Sequence, residues 1–524
     1  MSADASQLAT PSAVTEEVGL LDQIVEKSKV AKSRTEHDRA KDIISALAKE
    51  VLDGTVVVSD NLNLTLDARI AEIDRIISEQ LSAVMHADQF QQLEGSWRGL
   101  HYLCQQTSTG PNMKIKVFNS PKKDLVKDFK SAIDFDQSAL FKKVYEEEFG
   151  TFGSAPFGAL IGDYFLGRQP EDMYFVEQMS HVAAAAHAPF ISAASESMFG
   201  LESFTDLDKP RDLAKVFDTV EYAKWKSFRE SEDSRYVGLT MPRFLGRLPY
   251  NPKVGTTVEG FNFVEEIEAA DHSKFLWCNT AYAMGARLTQ AFENFGWCAA
   301  IRGVEGGGLV EDLPTHTFRT DDGEVALKCP TEVAITDRRE KELSDLGFMP
   351  LVHCKNTDYA AFFGAQSAQK PKKYNTDSAN ANAILSAQLQ YIFAVSRIAH
   401  YLKAMIREKI GSFASAGNVE EFLNRWIAQY VLLDDNAGQE AKAQFPLREA
   451  SVQVSEVPGK PGVYRAVPSS GRISSSMSCL FRCVLSPNCR RQPRRCNGFA
   501  VAVASRGVRS PFRSDAYFKR AKPP

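Results

Sequence analysis

Four β-prone residues, Thr55, Val56, Val57 and Val58, follow Gly54 in a part of the chain whose other patterns are helical. Consecutive valines are stiff at χ1 and suit a pleated sheet. The run is too short to bury itself and too apolar to face water alone. Such a strand either joins distant parts of its own chain or completes a sheet in another molecule by strand addition. The fold must therefore supply this strand with neighbours that the local sequence lacks.

Length and composition are typical of a soluble globular protein with several domains. The chain has 524 residues, 44% of them hydrophobic and 24% charged, and domains usually span about 100 to 200 residues. The N-terminus lacks the basic and apolar regions of a secretory signal. The most apolar stretch, 182–194, is interrupted by His187 and Pro189 and is shorter than the roughly 20 residues that span a bilayer. We expect a cytoplasmic location without direct membrane insertion.

Charge divides the chain at Pro468. The segment 468–524 has twelve Lys and Arg against one acid, Asp515, whereas the preceding residues have 50 basic and 65 acidic groups. A basic block attracts phosphate, so adventitious nucleic-acid binding by the tail is one alternative function. The tail contains no recognisable binding module, and its four cysteines match no zinc template. The five cysteines of the body are isolated, and we expect buried free thiols.

Helical periodicity dominates both ends of the chain. Apolar residues recur at spacings of three and four at Leu20, Leu21, Ile24 and Val25, and again at 43–51, which predicts two short amphipathic helices on a charged arm. Such helices either pack against the body or serve as docking peptides. Further helices are predicted from the same spacing at 67–81, 90–103, 375–410 and 419–432.

Strand and helix patterns alternate through the middle of the chain. Candidate strands lie at 113–118, 157–164, 239–241, 309–310, 332–335 and 350–353, and helical stretches at 172–188, 279–295 and 338–346. This alternation predicts an α/β body. Near the C-terminus, 450–457 and 463–467 flank a PGKPG turn, and this pattern predicts a β-hairpin.

The common enzyme motifs are absent from the sequence. No P-loop occurs; the nearest candidate for a phosphate loop is Gly306, Gly307 and Gly308. Without the strand-before, helix-after context a tight structural turn is favoured, but an anion- or nucleotide-binding enzyme remains an alternative. His181 and His187 are six residues apart and lie on different faces of a helix, unlike a zinc-binding pair. We assign no catalytic, cofactor or metal residues.

Long strings of the sequence resemble one known family over nearly all of 16–467. These strings are LLDQIVEKSKVAKSRTEHDRAKD, FQQLEGSWRGLHYL, APFGALIGDYF, YVGLTMPRFLGRLPY, GVEGGGLVEDLPTHTF, LGFMPLVHCKNTDYAAFFGAQS and NTDSANANAILSAQLQYIFAVSRIAHYLKAM. The family is the large subunit of the type VI secretion contractile sheath, called TssC or VipB (also ImpC or EvpB). The resemblance implies a mixed α/β (α+β), contractile-tail-sheath-like fold with an N-terminal helical arm and a C-terminal strand-exchange sheet.

The resemblance also implies partners and roles. Family members are non-enzymatic subunits that pair with a small sheath subunit (TssB/VipA), polymerise around an inner tube protein (Hcp) on a baseplate, contract, and are recycled by a ClpV-type AAA+ unfoldase. By this similarity, Leu20, Leu21, Ile24 and Val25 form the helix that the unfoldase captures. The strand at 55–58 is exchanged between subunits. The side chains of a segment near 437–449 face the tube, and they include Glu440, Lys442 and Arg448.

The sequence departs from the family pattern at Pro468. Family members continue there with further alternating strands and then stop. Codons can be chosen such that restoring one base after Val467 gives the alternative reading AFLRPHFQLDELSVSLRLVAEL, which resembles those strands. We hypothesise that 468–524 is a frameshift product. The predicted organisation is a disordered N-terminus (1–17), an arm (18–66), an α/β body (67–370), a helical and hairpin domain (371–467) and this tail.

Overall fold

A computed structural model describes residues 33–52, 62–209, 211–251, 261–267, 271–319, 323–409, 416–434, 436–456, 464–470 and 499–505. The predicted unfoldase-recognition residues Leu20, Leu21, Ile24 and Val25, and the predicted exchanged strand at 55–58, lie outside these ranges. The chain divides into two compact units, Met1–Ala83 with Tyr250–Glu266, and Val84–Pro249 with Ile267–Pro524.

The helices of the chain are bounded as follows: α1 Arg34–Leu52, α2 Leu62–Met85, α3 Asp88–Gln105, α4 Lys122–Ser131, α5 Pro170–Ala186, α6 Leu213–Phe217, α7 Ala223–Glu230, α8 Thr280–Phe295, α9 Asp337–Asp345, α10 Asp377–Ser386, α11 Leu389–Lys409, α12 Ala416–Ile427 and α13 Gln439–Gln444. A helical turn at Ala139–Phe141 leads into a π-helix, Lys142–Gly150. The strands are β1 Met113–Asn119, β2 Phe157–Leu166, β3 Phe190–Ala194, β4 Val237–Met241, β5 Phe244–Leu245, β6 Trp277–Cys278, β7 Leu309–Val310, β8 His316–Arg319, β9 Val325–Lys328, β10 Met349–His353, β11 Ala360–Phe362, β12 Ala450–Glu456, β13 Tyr464–Ser470 and β14 Phe499–Ser505.

The first unit contains α1 and most of α2. Ser33 begins α1 with a reciprocal capping box: its hydroxyl accepts from the Glu36 amide at 3.3 Å, and the Glu36 carboxylate accepts from the Ser33 amide at 3.1 Å. This arrangement satisfies amides that the first helical turn leaves without partners. Along α2 the predicted apolar face is solvent-exposed, with Ile70 at 53% and Ile77 at 44% exposure. The helix is formed as predicted, but its apolar stripe is not buried.

An eight-stranded sheet forms the centre of the second unit. Its strand order is β1-β14-β2-β3-β4-β10-β11-β7, and the strands from β1 to β10 are parallel. Strand β2, FGALIGDYFL, is buried along almost its whole length. A continuous apolar run is what a parallel strand covered on both faces requires. The α/β prediction is confirmed, and one core cluster joins this sheet to the helices around it.

Helix α3 packs closely against α8 through a glycine. A Cβ on Gly99 would come within 2.3 Å of the Tyr282 ring of α8. Helix α8 begins at Asn279, whose side chain accepts from the Ala281 amide, and ends at Gly296 with φ 75°. These caps satisfy backbone groups at both helix ends. The string FQQLEGSWRGLHYL is thus a helix whose glycine permits close packing.

Several boundaries differ from the sequence prediction. The predicted helix at 375–410 is two helices, α10 and α11, because the Ser367 amide and hydroxyl both donate to the Ala387 carbonyl and the Leu389 amide donates to Ala365. The predicted strand at 332–335 is not a strand; there Glu332 accepts two hydrogen bonds from Arg243, at 2.8 and 2.6 Å. Strand β3 and the hairpin of β8 and β9 were not predicted.

The tail contributes a strand to the central sheet. Its residues 468–470 extend β13 beyond the predicted end at Val467, and Phe499–Ser505 forms β14 between β1 and β2. The sequence FAVAVAS alternates larger and small apolar residues, and this pattern suits an interior strand.

Candidate assembly site

The C-terminal hairpin of β12 and β13 is the predicted site of strand exchange. The two strands are antiparallel, with Val452 opposite Pro468 and Val454 opposite Ala466. They form a two-stranded sheet of their own. An isolated hairpin is only marginally stable in water, so this one must gain stability from a neighbour. That neighbour is α12.

Helix α12 closes the outer edge of β12 with side chains instead of a strand. Asn424 accepts from the Val452 amide at 2.7 Å and donates to the Val452 carbonyl at 2.8 Å. Glu420 accepts from the Val454 amide at 2.9 Å. The apolar side of the contact is built from Leu423, Ile427 and Val452, all buried. An incoming strand cannot pair here, since the backbone groups already have partners.

The register of the hairpin identifies the opposite edge as the open one. In an antiparallel pair, the amide and carbonyl of one residue point to the same side, and successive residues alternate. Because Val452 and Val454 point towards α12, their partners Pro468 and Ala466 point away from β12. Within the described residues no third strand pairs with β13. On this outer edge Pro468 has no amide hydrogen to donate, whereas Ala466 presents both an amide and a carbonyl.

The predicted tube-facing residues meet the glycine turn in one groove. Glu440, Lys442 and Arg448 line an open cavity of about 1070 Å³ together with residues 302–307. Glu440 is exposed, whereas Lys442 and Arg448 are half-buried. Arg448 donates to the Asp434 carbonyl at 2.8 Å. The groove therefore presents charges of both signs.

The turn at Gly306, Gly307 and Gly308 packs backbone against backbone. The Gly308 amide donates to the Gly303 carbonyl at 2.9 Å, and the Gly303 amide donates to Phe362 at 2.7 Å. At Gly307, φ is +84° and a Cβ would lie 2.4 Å from the Ala300 carbonyl oxygen. Amides that already donate to carbonyls cannot also cradle a phosphate, which needs several free amides. This geometry supports the tight structural turn over the anion loop.

The two histidines excluded as a zinc pair have separate structural roles. His181 contacts Asp233 at 2.8 Å, and a hydrogen bond to this carboxylate raises the pKa of His181. His187 ends α5 with φ 51°, and burial together with Lys403 lowers its pKa to about 4. Neighbouring His400 donates to the Ala186 carbonyl at 2.9 Å, so it carries its proton on Nε2. These histidines therefore stabilise contacts of α5 with the elements packed against it.

The expectation of buried free thiols is right for two cysteines. Cys278 and Cys298 are buried, Cys329 and Cys354 are half-buried, and Cys104 is exposed. Sequence reasoning missed Asn424 and Glu420, whose spacing of four residues places both on one helix face. That spacing is the one sequence signal that could have indicated them. Within the described part of the chain, no helix is both long and apolar enough to cross a membrane.

Comparison with known proteins identifies the class of protein as a tail sheath protein. Residues 67–369 match the VipB family described as "EvpB/VC_A0108, tail sheath N-terminal domain". Residues 378–470 match VipB_2, "EvpB/VC_A0108, tail sheath gpW/gp25-like domain". The chain belongs to the VipB tail-sheath family, and the resemblance found in the sequence is confirmed.

A curated relative gives the particular kind of sheath protein. The chain is 50% identical over 440 residues to the type VI secretion system sheath protein TssC1 of Pseudomonas aeruginosa PAO1, covering 83% of this chain and 88% of the relative. Among solved structures, chains of the anti-feeding prophage baseplate and of its contracted helical sheath match with TM-scores of 0.30 and 0.29 at 9% identity. Each match covers 74% of this chain, and 96% and 95% of the matched chains.

Proposed function

We propose that this chain is the structural large subunit of a type VI secretion contractile sheath. The match of both tail-sheath domains and the 50% identity to TssC1 carry the proposal. The chain pairs with a small sheath subunit and with further copies of itself in a helical array. It surrounds an inner tube, contracts to propel that tube, and acts in the cytoplasm without catalysis.

Strand addition at the outer edge of β13 links the subunits. The donor is the arm strand Thr55, Val56, Val57 and Val58 of another copy. Closure of β12 by Asn424 and Glu420 supports this direction, because it leaves one edge open. Strand addition uses about one main-chain hydrogen bond per residue and specifies side chains only at alternate positions, so the link survives rotation of the domains.

Two further contacts complete the cycle. Leu20, Leu21, Ile24 and Val25 present an apolar helix face to a ClpV-type AAA+ unfoldase after contraction. Glu440, Lys442 and Arg448 face the inner tube protein, and the mixed charge of their groove suits a polar partner surface. Exposed Ile70, Ile77 and neighbouring residues of α2 suit burial against other subunits.

Co-expression with the small sheath subunit tests the proposal. We expect a stable complex that co-purifies, and electron microscopy that shows few or no long sheaths, because Pro468 and the tail replace the family's last strands. A matched chain that ends in AFLRPHFQLDELSVSLRLVAEL after Val467 should form long, regular sheaths. Failure of both chains to bind the small subunit would contradict the function. Long sheaths from the present chain would contradict only the assembly defect, and sequencing the gene through codon 467 tests the frameshift.

A further inference from the structure

Strand β14 occupies a position that the rest of the sheet leaves vacant. It pairs in parallel with β1 on one side and β2 on the other, with Val501 opposite both Ile115 and Ala159. In the described residues β1 has no other strand partner. Without β14, β1 would have no strand neighbour, and one edge of β2 would lose its backbone hydrogen bonds.

The buried side chains of β14 complete the core beneath the sheet. Val501 and Val503 are fully buried and belong to the main core cluster, and Ala502 packs against it from a partly buried position. No residue of FAVAVAS carries a charge. An empty position would expose both an apolar strip and two rows of backbone amides and carbonyls, which is the combination that attracts another strand.

The sequence that fills this position lies outside the family domains. The first tail-sheath domain spans 67–369 and includes β1 and β2 but not the strand between them. The second domain ends at residue 470, before β14 begins at Phe499. The position is therefore built by strands of the first matched domain, while its occupant lies beyond the residues that the second domain matches.

We propose that the space between β1 and β2 is a strand-acceptor slot, and that β14 is a plug with which this chain fills its own slot. A parallel neighbour in the same chain requires a connection of about a dozen residues or more, and residues 471–498 supply that length. A strand of another chain faces no such requirement. Because β14 pairs with both neighbours and buries Val501 and Val503 there, a strand donated by another chain must displace β14 before it can pair with β1 and β2.

Disulfide cross-linking of the full-length chain tests the position of the plug. Lys116 of β1 is opposite Ala502 of β14, and register partners in adjacent strands approach the Cα separation of about 4.4 to 6.8 Å that a disulfide needs. We expect the double variant K116C/A502C to form the cross-link under mild oxidation, identified by peptide mapping. The matched control K114C/A502C, displaced by two residues in register, should form it poorly. No cross-link in either variant, or equal cross-linking in both, would overturn the proposal.

Release of the plug tests the slot. In the variant V501D/V503D, two buried carboxylates should expel β14, and we expect hydrogen exchange in 113–119 to become at least about tenfold faster. A lysine-flanked synthetic FAVAVAS peptide should then bind the variant and restore the protection of residues 113–119 from hydrogen exchange. The unmodified chain should not bind this peptide. Unchanged hydrogen exchange in 113–119 would overturn the proposal. So would a variant that fails to bind the peptide although its α12 and β12 remain protected from exchange. If the variant unfolds throughout, the comparison of K116C/A502C with K114C/A502C decides whether β14 fills the position beside β1. Neither experiment requires sheath assembly, so their failure is distinct from failure of the proposed function.

Discussion

The carboxamide of Asn424 binds both backbone polar groups of Val452, accepting from its amide at 2.7 Å and donating to its carbonyl at 2.8 Å. One side chain of α12 thus replaces a neighbouring strand at this point. The contact makes the hairpin asymmetric, because α12 closes the edge of β12 while no strand among the described residues pairs with the outer edge of β13. The direction in which the sheet can grow follows from this asymmetry.

Substitution of Asn424 should loosen the hairpin. In N424A the amide and carbonyl of the buried Val452 lose their partners, and we expect the free energy of unfolding to fall by about 1 to 3 kcal/mol. Hydrogen exchange of β12 and the melting temperature measure the effect. Arg425 on the same helix is 77% exposed and pairs with Glu421, so R425A should change stability by less than about 0.5 kcal/mol. Equal effects of the two variants would contradict the capping role.

Replacement of Pro468 should strengthen strand addition at β13. The variant P468T restores an amide on the open edge, and one added hydrogen bond is worth about 0.5 to 1.5 kcal/mol, or about 2- to 12-fold in affinity. Binding of a synthetic peptide spanning 52–61 measures this gain. The amide of Ser469 points towards β12, so S469T serves as the control and should leave affinity unchanged. An affinity for P468T no higher than that of S469T would show that the arm strand pairs elsewhere.

The glycine turn should tolerate a side chain at one position and not at another. Both Gly303 and Gly307 have positive φ, but a Cβ meets no atom within 4 Å at Gly303 and lies 2.4 Å from the Ala300 carbonyl oxygen at Gly307. G303A should cost only the left-handed backbone penalty of about 1 to 2 kcal/mol, whereas G307A should cost more because the backbone must move. Thermal unfolding measures the difference. Calorimetry with a nucleotide should show no binding, and saturable binding abolished by G307A would instead support an anion loop.

Acidification should destabilise the contact between α5 and α11. Burial and nearby cations lower the pKa of His187 to about 4 and hold that of His400 well below its usual value. Because both rings stay neutral when folded but gain protons when unfolded, stability is present above pH 6.5 and is lost as the pH falls towards 4. H400Q keeps a donor for the Ala186 carbonyl and should flatten the fall in melting temperature.

A histidine whose pKa is shifted in the opposite direction provides the control for this pH dependence. The hydrogen bond to Asp233 raises the pKa of His181, so its contribution is present below pH 6.5 and is lost as the pH rises through the folded pKa. H181Q should therefore steepen the loss of stability on acidification. The same pH profile in H400Q as in the unmodified chain would show that other groups govern the transition.

The sequence alone determined the family, the α/β class and the C-terminal hairpin. These rest on local patterns: the continuous apolar run of β2, the alternation in β12, and long strings shared with the tail-sheath family. Such signals are carried by residues close together in the sequence. A strand buried on both faces is continuously apolar, and a strand buried on one face alternates apolar and polar residues.

Only the tertiary structure decided where distant residues supply hydrogen bonds or burial. The helix predicted through Ala387 is broken because Ser367 takes the carbonyl that would continue it. Trp97 shares its helical spacing with Leu103, which is buried, but is itself 65% exposed. Asn424 closes β12, and the tail segment at Phe499–Ser505 enters the central sheet. Each outcome depends on a partner far along the chain, and local periodicity carries no information about that partner.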